Sequence, residues 1–88
     1  PALDVMKLLQ EKGAVVEYSD PHVPELNEGG FSLKSRELSP DVLRGYDCIV
    51  ITTAHSAVDY GMVVGSGTPV VDTRNALKGY SEDHIWKI

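Results

Sequence analysis

The chain is poor in cysteine, in aromatic side chains and in positive charge. Cys48 is the single cysteine among 88 residues. No intramolecular disulfide can form, which excludes a disulfide-stapled scaffold and fits a reducing compartment. Lys and Arg number 8 against 13 Asp and Glu, a formal net charge of −5. That balance argues against a nonspecific grip on DNA, RNA or an anionic membrane, so neither nucleic acid nor membrane is an expected partner. No apolar run reaches the roughly 20 residues of a membrane span. The opening Pro1-Ala2-Leu3-Asp4 lacks the basic region of a secretory signal. What is present is ordinary for a globular domain: 42% hydrophobic and 24% charged residues, which excludes disordered and collagen-like chains. A chain of this length buries roughly 63% of its unfolded surface, enough for one domain with a modest core.

Residues 2–12, ALDVMKLLQEK, repeat apolar side chains at helical spacing. Leu3, Met6, Leu9 and Val5 share a stripe, and Gly13 stands where a left-handed cap residue ends a helix. AVVEYSD (14–20) predicts a strand from its β-branched and aromatic residues, stopped by Asp20-Pro21. Residues 20–40 read as a long loop with a short edge strand at 31–33. Ser39-Pro40-Asp41 marks a helix start, and Gly45 its end. YDCIVITTA (46–54) is the strongest strand signal and suits burial on both faces of a parallel sheet. Ser56 is expected to cap a helix over roughly 57–65, TPVVDT (68–73) is a third strand, and 79–88 is left as a tail. The alternation indicates an α/β fold, three layers around a mainly parallel sheet. Such a unit ordinarily opens on a strand, so the expectation is a fragment lacking its first strand, which would lie upstream of Pro1. Strands 14–19 and 47–52 would then pair directly, or another chain would fill the gap by self-association.

In an open parallel sheet, ligands bind beyond the carboxyl ends of the strands. That rule selects Ser19–Pro21, Thr53–Ser56 and Asp72–Asn75. Arg74 follows an apolar strand ending in an acid, where a guanidinium can fork onto a phosphate or a ribose edge. The alternative is a salt bridge with Asp72, or a plain surface charge. His55 and Ser56 stand where a helix begins and its amides attract anions, although a cap for Ser56 and a local loop bond for His55 are the plainer reading. Asp20 holds the place of a ribose-binding acid, but no G-x-G-x-x-G precedes it, and Asp-Pro commonly ends a strand. Gly65-Ser66-Gly67 reads as a helix stop. His22, His55 and His84 share no metal-ligand spacing, and Cys48 reads as an inert core residue. No nucleophile, base and orienting group come together, so no catalytic residue and no metal is assigned.

Three segments in this order carry a resemblance: PALDVMKLLQEKGAVVEYSDPHVPEL, YDCIVITTAHSAVDY and PVVDTRNALK. From Pro1 to about Lys78 the chain resembles the C-terminal, UDP-binding domain of the UDP-glucose/GDP-mannose dehydrogenase family, the nucleotide-sugar 6-dehydrogenases. D-P-H-V-P and D-T-R-N are most similar to its UDP-N-acetylglucosamine/UDP-N-acetylmannosamine branch. The resemblance implies a Rossmann-like UDP-binding domain over residues 1–88, working with the rest of a dehydrogenase chain. Whole members oxidise the sugar C6 alcohol to a carboxylate in two NAD-dependent steps. NAD binds in their N-terminal domain, and the catalytic cysteine belongs to a middle region. Cys48 is then not the nucleophile, and this segment is catalytically silent, with no cofactor of its own. Arg74 corresponds to the arginine of the family's D-x-R motif, which reaches the nucleotide sugar; His55, Ser56 and Asp72 are its candidate companions. The family's lysine-bearing strand and D-D-x-R-E-S stretch would precede Pro1. Gly61 and G-S-G-T (65–68) depart from the family's more acidic or bulkier pattern, which bears on the helix at 57–65. Membership also implies a cytoplasmic homo-oligomer that supplies polysaccharide precursors. The competing readings are a stand-alone flavodoxin-like interaction module and a small regulatory nucleotide-binding domain.

Overall fold

A computed structural model of the protein describes residues 2–88. The chain divides into two compact units, Pro1–Glu37 and Leu38–Ile88.

In the first unit, helix α1 spans Ala2–Glu11. It ends as its sequence predicts. Gly13 takes the left-handed conformation (φ 94°), and its N–H reaches the Gln10 carbonyl while the Ala14 N–H reaches that of Leu9. This paired arrangement satisfies carbonyls that a helix end otherwise leaves open. Leu3, Val5 and Met6 are half-buried, while Leu8 and Leu9 of the same helix are exposed. The long loop contains two short strands, β1 (Glu25–Leu26) and β2 (Leu33–Lys34), paired antiparallel with Leu26 opposite Leu33. Leu26 and Phe31 are buried.

The strand expected at 14–20 does not form. Val15 is 92% exposed, and the segment is held by isolated bonds instead of a ladder. The Arg36 N–H donates to the Tyr18 carbonyl, the Asp20 N–H donates to Ser35 Oγ at 2.9 Å, and Arg36 pairs with Glu17 at 2.7 Å. Strand propensity is realised only against cross-strand neighbours and a buried face, and Val15 has neither. The predicted pairing of 14–19 with 47–52 therefore has no strand to make it.

In the second unit, helix α2 (Pro40–Arg44) starts as expected. Ser39 Oγ accepts the Val42 N–H at 3.2 Å, and Pro40 occupies the first turn, where its missing N–H costs nothing. Strand β3 (Ile49–Ile51), helix α3 (Tyr60–Gly65), strand β4 (Val70–Asp72) and strand β5 (Ile85–Lys87) follow. The three strands form one parallel sheet in the order β3-β4-β5, with Ile51 opposite Asp72 and Asp72 opposite Lys87. Among the described residues β3 pairs with β4 alone. The core gathers Leu43 of α2, Ile51, Val63 and Val64 of α3, Val70 and Leu77. Thr68 is buried there and donates from Oγ1 to the Leu43 carbonyl at 2.8 Å, closing the end of α2. His84 Nε2 lies 2.8 Å from the Val64 carbonyl and anchors the chain as it enters β5. The result is a small α/β, Rossmann-like arrangement.

Several boundaries differ from expectation. The strand read over 46–54 shortens to 49–51, and Cys48 lies outside it and is exposed, so it is not a core residue. The helix read over 57–65 begins at Tyr60, because Asp59 is its cap: Asp59 Oδ1 accepts the Met62 N–H at 3.1 Å. Ser56 instead occupies a turn. Gly61 follows this cap closely, since a Cβ there would stand 3.3 Å from Asp59 Oδ1 and 3.5 Å from the Tyr80 hydroxyl. Helix α3 stops at Gly65, and Gly67 turns with φ 77°. Residues 79–88, read as a tail, contain β5.

Two substitutions check this layout by urea melts. Leu77→Ala, at a fully buried position, lowers stability by about 3 kcal/mol through the cavity it leaves. Val15→Ser, at a position with no packing, changes it by less than about 0.5 kcal/mol.

Candidate functional site

The parallel register fixes where the site lies. Ile51, Asp72 and Lys87 stand side by side, so the segments leaving β3 and β4 start from one edge of the sheet, beside the end of β5. Thr73 fastens the first two together. Its N–H and its Oγ1 both donate to the Ile51 carbonyl, at 3.2 and 2.7 Å.

Asp72 organises the loop that follows. It has no exposed surface, and a carboxylate out of water is tolerated only when hydrogen-bonded. Oδ1 accepts the backbone N–H groups of Arg74 and Ala76, at 3.0 and 3.1 Å. Oδ2 accepts that of Leu77 at 2.8 Å. Asn75 turns between them with φ 56°, the left-handed conformation that asparagine tolerates better than most residues. Burial alone pushes the Asp72 carboxyl up. The three amide bonds and the positive charge of Lys87 outweigh it and hold the group below the usual carboxylate range. Lys87 itself donates from Nζ to the Tyr80 carbonyl at 2.6 Å, which ties the turn after the loop to β5.

Arg74 is exposed on this loop. Only its backbone N–H meets Asp72. The salt bridge considered from sequence is not formed, and the guanidinium has no partner among the described residues. On the neighbouring segment His55 is half-buried. Its N–H donates to the Tyr60 hydroxyl at 2.9 Å, and its carbonyl accepts the Val58 N–H. Ser56 is exposed in the turn beside it. The sheet thus brings His55, Ser56, Asp72 and Arg74 to segments that leave one edge. Ser19–Pro21 belongs to the unit Pro1–Glu37 and follows no strand, so the strand-end rule no longer selects it. Asp20 there accepts the His22 N–H at 2.8 Å. Among the described residues no cluster of His, Cys, Asp and Glu could hold a metal ion. No helix is long and apolar enough to cross a membrane among them.

Sequence reasoning selected the segment that holds Thr73 without giving that residue a role, and it missed Tyr60 and Lys87. Thr73 had a readable signal, a β-branched hydroxyl residue directly after a strand-ending acid. The Tyr60 hydroxyl acts on His55, five residues back, and the Lys87 ammonium acts on Asp72 from another strand; neither contact has a sequence pattern of its own.

An acid-ended strand, a loop folded on that acid and an exposed arginine two residues later lie within the part of the chain that matches a known family. The match is to the UDP-glucose/GDP-mannose dehydrogenase family, UDP binding domain, over residues 1–79. The chain belongs to this family. No curated protein and no solved structure matches it. The family match ends before β5, so the strand that supplies Lys87 lies outside the part it covers. Within the UDP-binding domain, the loop amides of Arg74, Ala76 and Leu77 are already taken by an internal anion. On this loop the Arg74 guanidinium is exposed, and its planar fork suits phosphate and carboxylate oxygens.

The lowered pKa of Asp72 makes a pH prediction. Its bonds contribute fully above about pH 4, where the unfolded carboxyl is already ionised. The contribution is lost as pH falls through the lower folded value. Asp72→Asn therefore costs on the order of 2 kcal/mol at neutral pH, and the difference from wild type shrinks as pH drops below about 4. Urea melts across that range measure it.

Proposed function

We propose that this UDP-binding domain holds the nucleotide end of a UDP-sugar for a parent NAD-dependent 6-dehydrogenase. The parent reaction oxidises the sugar C6 alcohol to a carboxylate, and this segment contributes binding without a catalytic group. The observation that carries the reading is the exposed Arg74 guanidinium, without a partner among the described residues and set on a loop that a fully buried acid folds. A diphosphate needs cationic donors in fixed positions, and Arg74 offers them where two parallel strands end. His55 and Ser56 lie on a segment that leaves the same edge, which supports them as companions of Arg74.

The residues here do not fit NAD. No glycine fingerprint is present. Gly13, the glycine nearest before Asp20, ends a helix, and Asp20 follows no strand. The cofactor of the parent enzyme is accordingly assigned to another domain, and no step involves it here. The exposed Cys48 lies just before β3, at the opposite end of that strand from the candidate site, and has no part in the reading. Of the finer readings, the N-acetylated branch, the homo-oligomer, the cytoplasmic location and the supply of surface polysaccharide rest on the sequence resemblance alone.

Titration calorimetry tests the proposal. The chain is expected to bind UDP and not NAD, and Arg74→Ala is expected to weaken UDP by about 10- to 100-fold, as for lost hydrogen bonds to a charged group. Binding of NAD in preference to UDP, or unchanged UDP affinity in Arg74→Ala, contradicts it.

A further inference from the structure

We propose that Asp72 and Thr73 are positioning residues for the nucleotide and never touch it. The inference rests on the proposed function, in which Arg74 meets the diphosphate, and it reverses the direct contact that sequence reasoning allowed Asp72.

Asp72 has no surface to offer a ligand. Its two oxygens are occupied by three backbone amides of its own loop, and Thr73 is clipped twice to the Ile51 carbonyl. The N–H groups of Thr73, Arg74, Ala76 and Leu77 are therefore all committed within the protein. Two consequences follow. The loop cannot cradle a phosphate with these amides, so recognition falls to the Arg74 side chain. The backbone that carries that side chain is fixed from before the arginine to three residues beyond it. A guanidinium on a fixed backbone loses less conformational freedom on binding than one on a mobile loop, and the difference appears as affinity. Asp72 thus acts through Arg74: an internal anion shapes the loop that presents a cation to an external one.

A double-mutant cycle decides it, because it separates action through Arg74 from action on the fold at large. UDP affinity is measured for wild type, Asp72→Asn, Thr73→Val and Arg74→Ala, and for each of the first two combined with Arg74→Ala. Circular dichroism sets a temperature at which every variant remains folded. Asp72→Asn keeps an acceptor for two amides but turns an N–H donor toward Leu77, and it is expected to weaken UDP by about tenfold. Thr73→Val removes one hydroxyl and is expected to weaken it by about threefold. In the Arg74→Ala background neither is expected to change affinity further. Wild-type affinity in Asp72→Asn, or an added loss in the Arg74→Ala background, overturns the inference while the proposed function stands. If Arg74→Ala binds UDP as wild type does, the proposed function fails and takes this inference with it. Should Asp72→Asn not fold, Thr73→Val carries the test alone, and an unchanged affinity there overturns the inference.

Discussion

A carboxylate removed from water must find donors or take up a proton, and Asp72 finds three donors in the five residues that follow it. That exchange shapes the far end of the chain. It ends β4, places Asn75 in a left-handed turn and seats Leu77 in the core beside Val70. It also leaves Arg74 on the outside of a loop whose backbone is already satisfied. Lys87 reaches across from β5 to favour the ionised form, while its ammonium holds the Tyr80 carbonyl. The loop is thus tied to the sheet at both ends, by Thr73 at its start and through Lys87 after its close.

This arrangement divides labour between backbone and side chain. Many anion sites use the free amides of a loop or a helix start. Here those amides serve an internal acid, and an arginine faces outward in their place. Under the proposed function, Arg74 meets the charged nucleotide while the amides of its own loop stay committed to Asp72.

What was legible in the sequence follows from the range over which each signal acts. Local chemistry reads well. The stop of α1 at Gly13, the Ser39-Pro40 start of α2 and the turn at Gly67 are each set by one or two residues and their neighbours. The apolar, β-branched centres of β3 and β4 also stood out, because strands buried in a parallel sheet need such runs. Signals that depend on partners read badly. AVVEYSD has the composition of a strand, yet Val15 has nothing to pair with or pack against. IWK at 85–87 was passed over because three residues next to a chain end carry little pattern, and β4 supplies what makes them a strand. Ser56 was the expected cap of α3, but that role falls to Asp59, whose Oδ1 accepts the Met62 N–H. At the candidate site, Arg74 stood out from its position after an acid-ended strand. The inward commitment of that acid did not, because only three-dimensional folding shows three amides converging on it.

Amide hydrogen exchange followed by NMR tests the central claim most directly, since it reads the Asp72 bonds one proton at a time. At neutral pH the amide protons of Arg74, Ala76 and Leu77 are expected to exchange slowly, on the scale of the sheet amides of Ile49 and Val70. Exchange of these three protons at the rate of an exposed turn, in a protein whose sheet amides remain protected, contradicts the account.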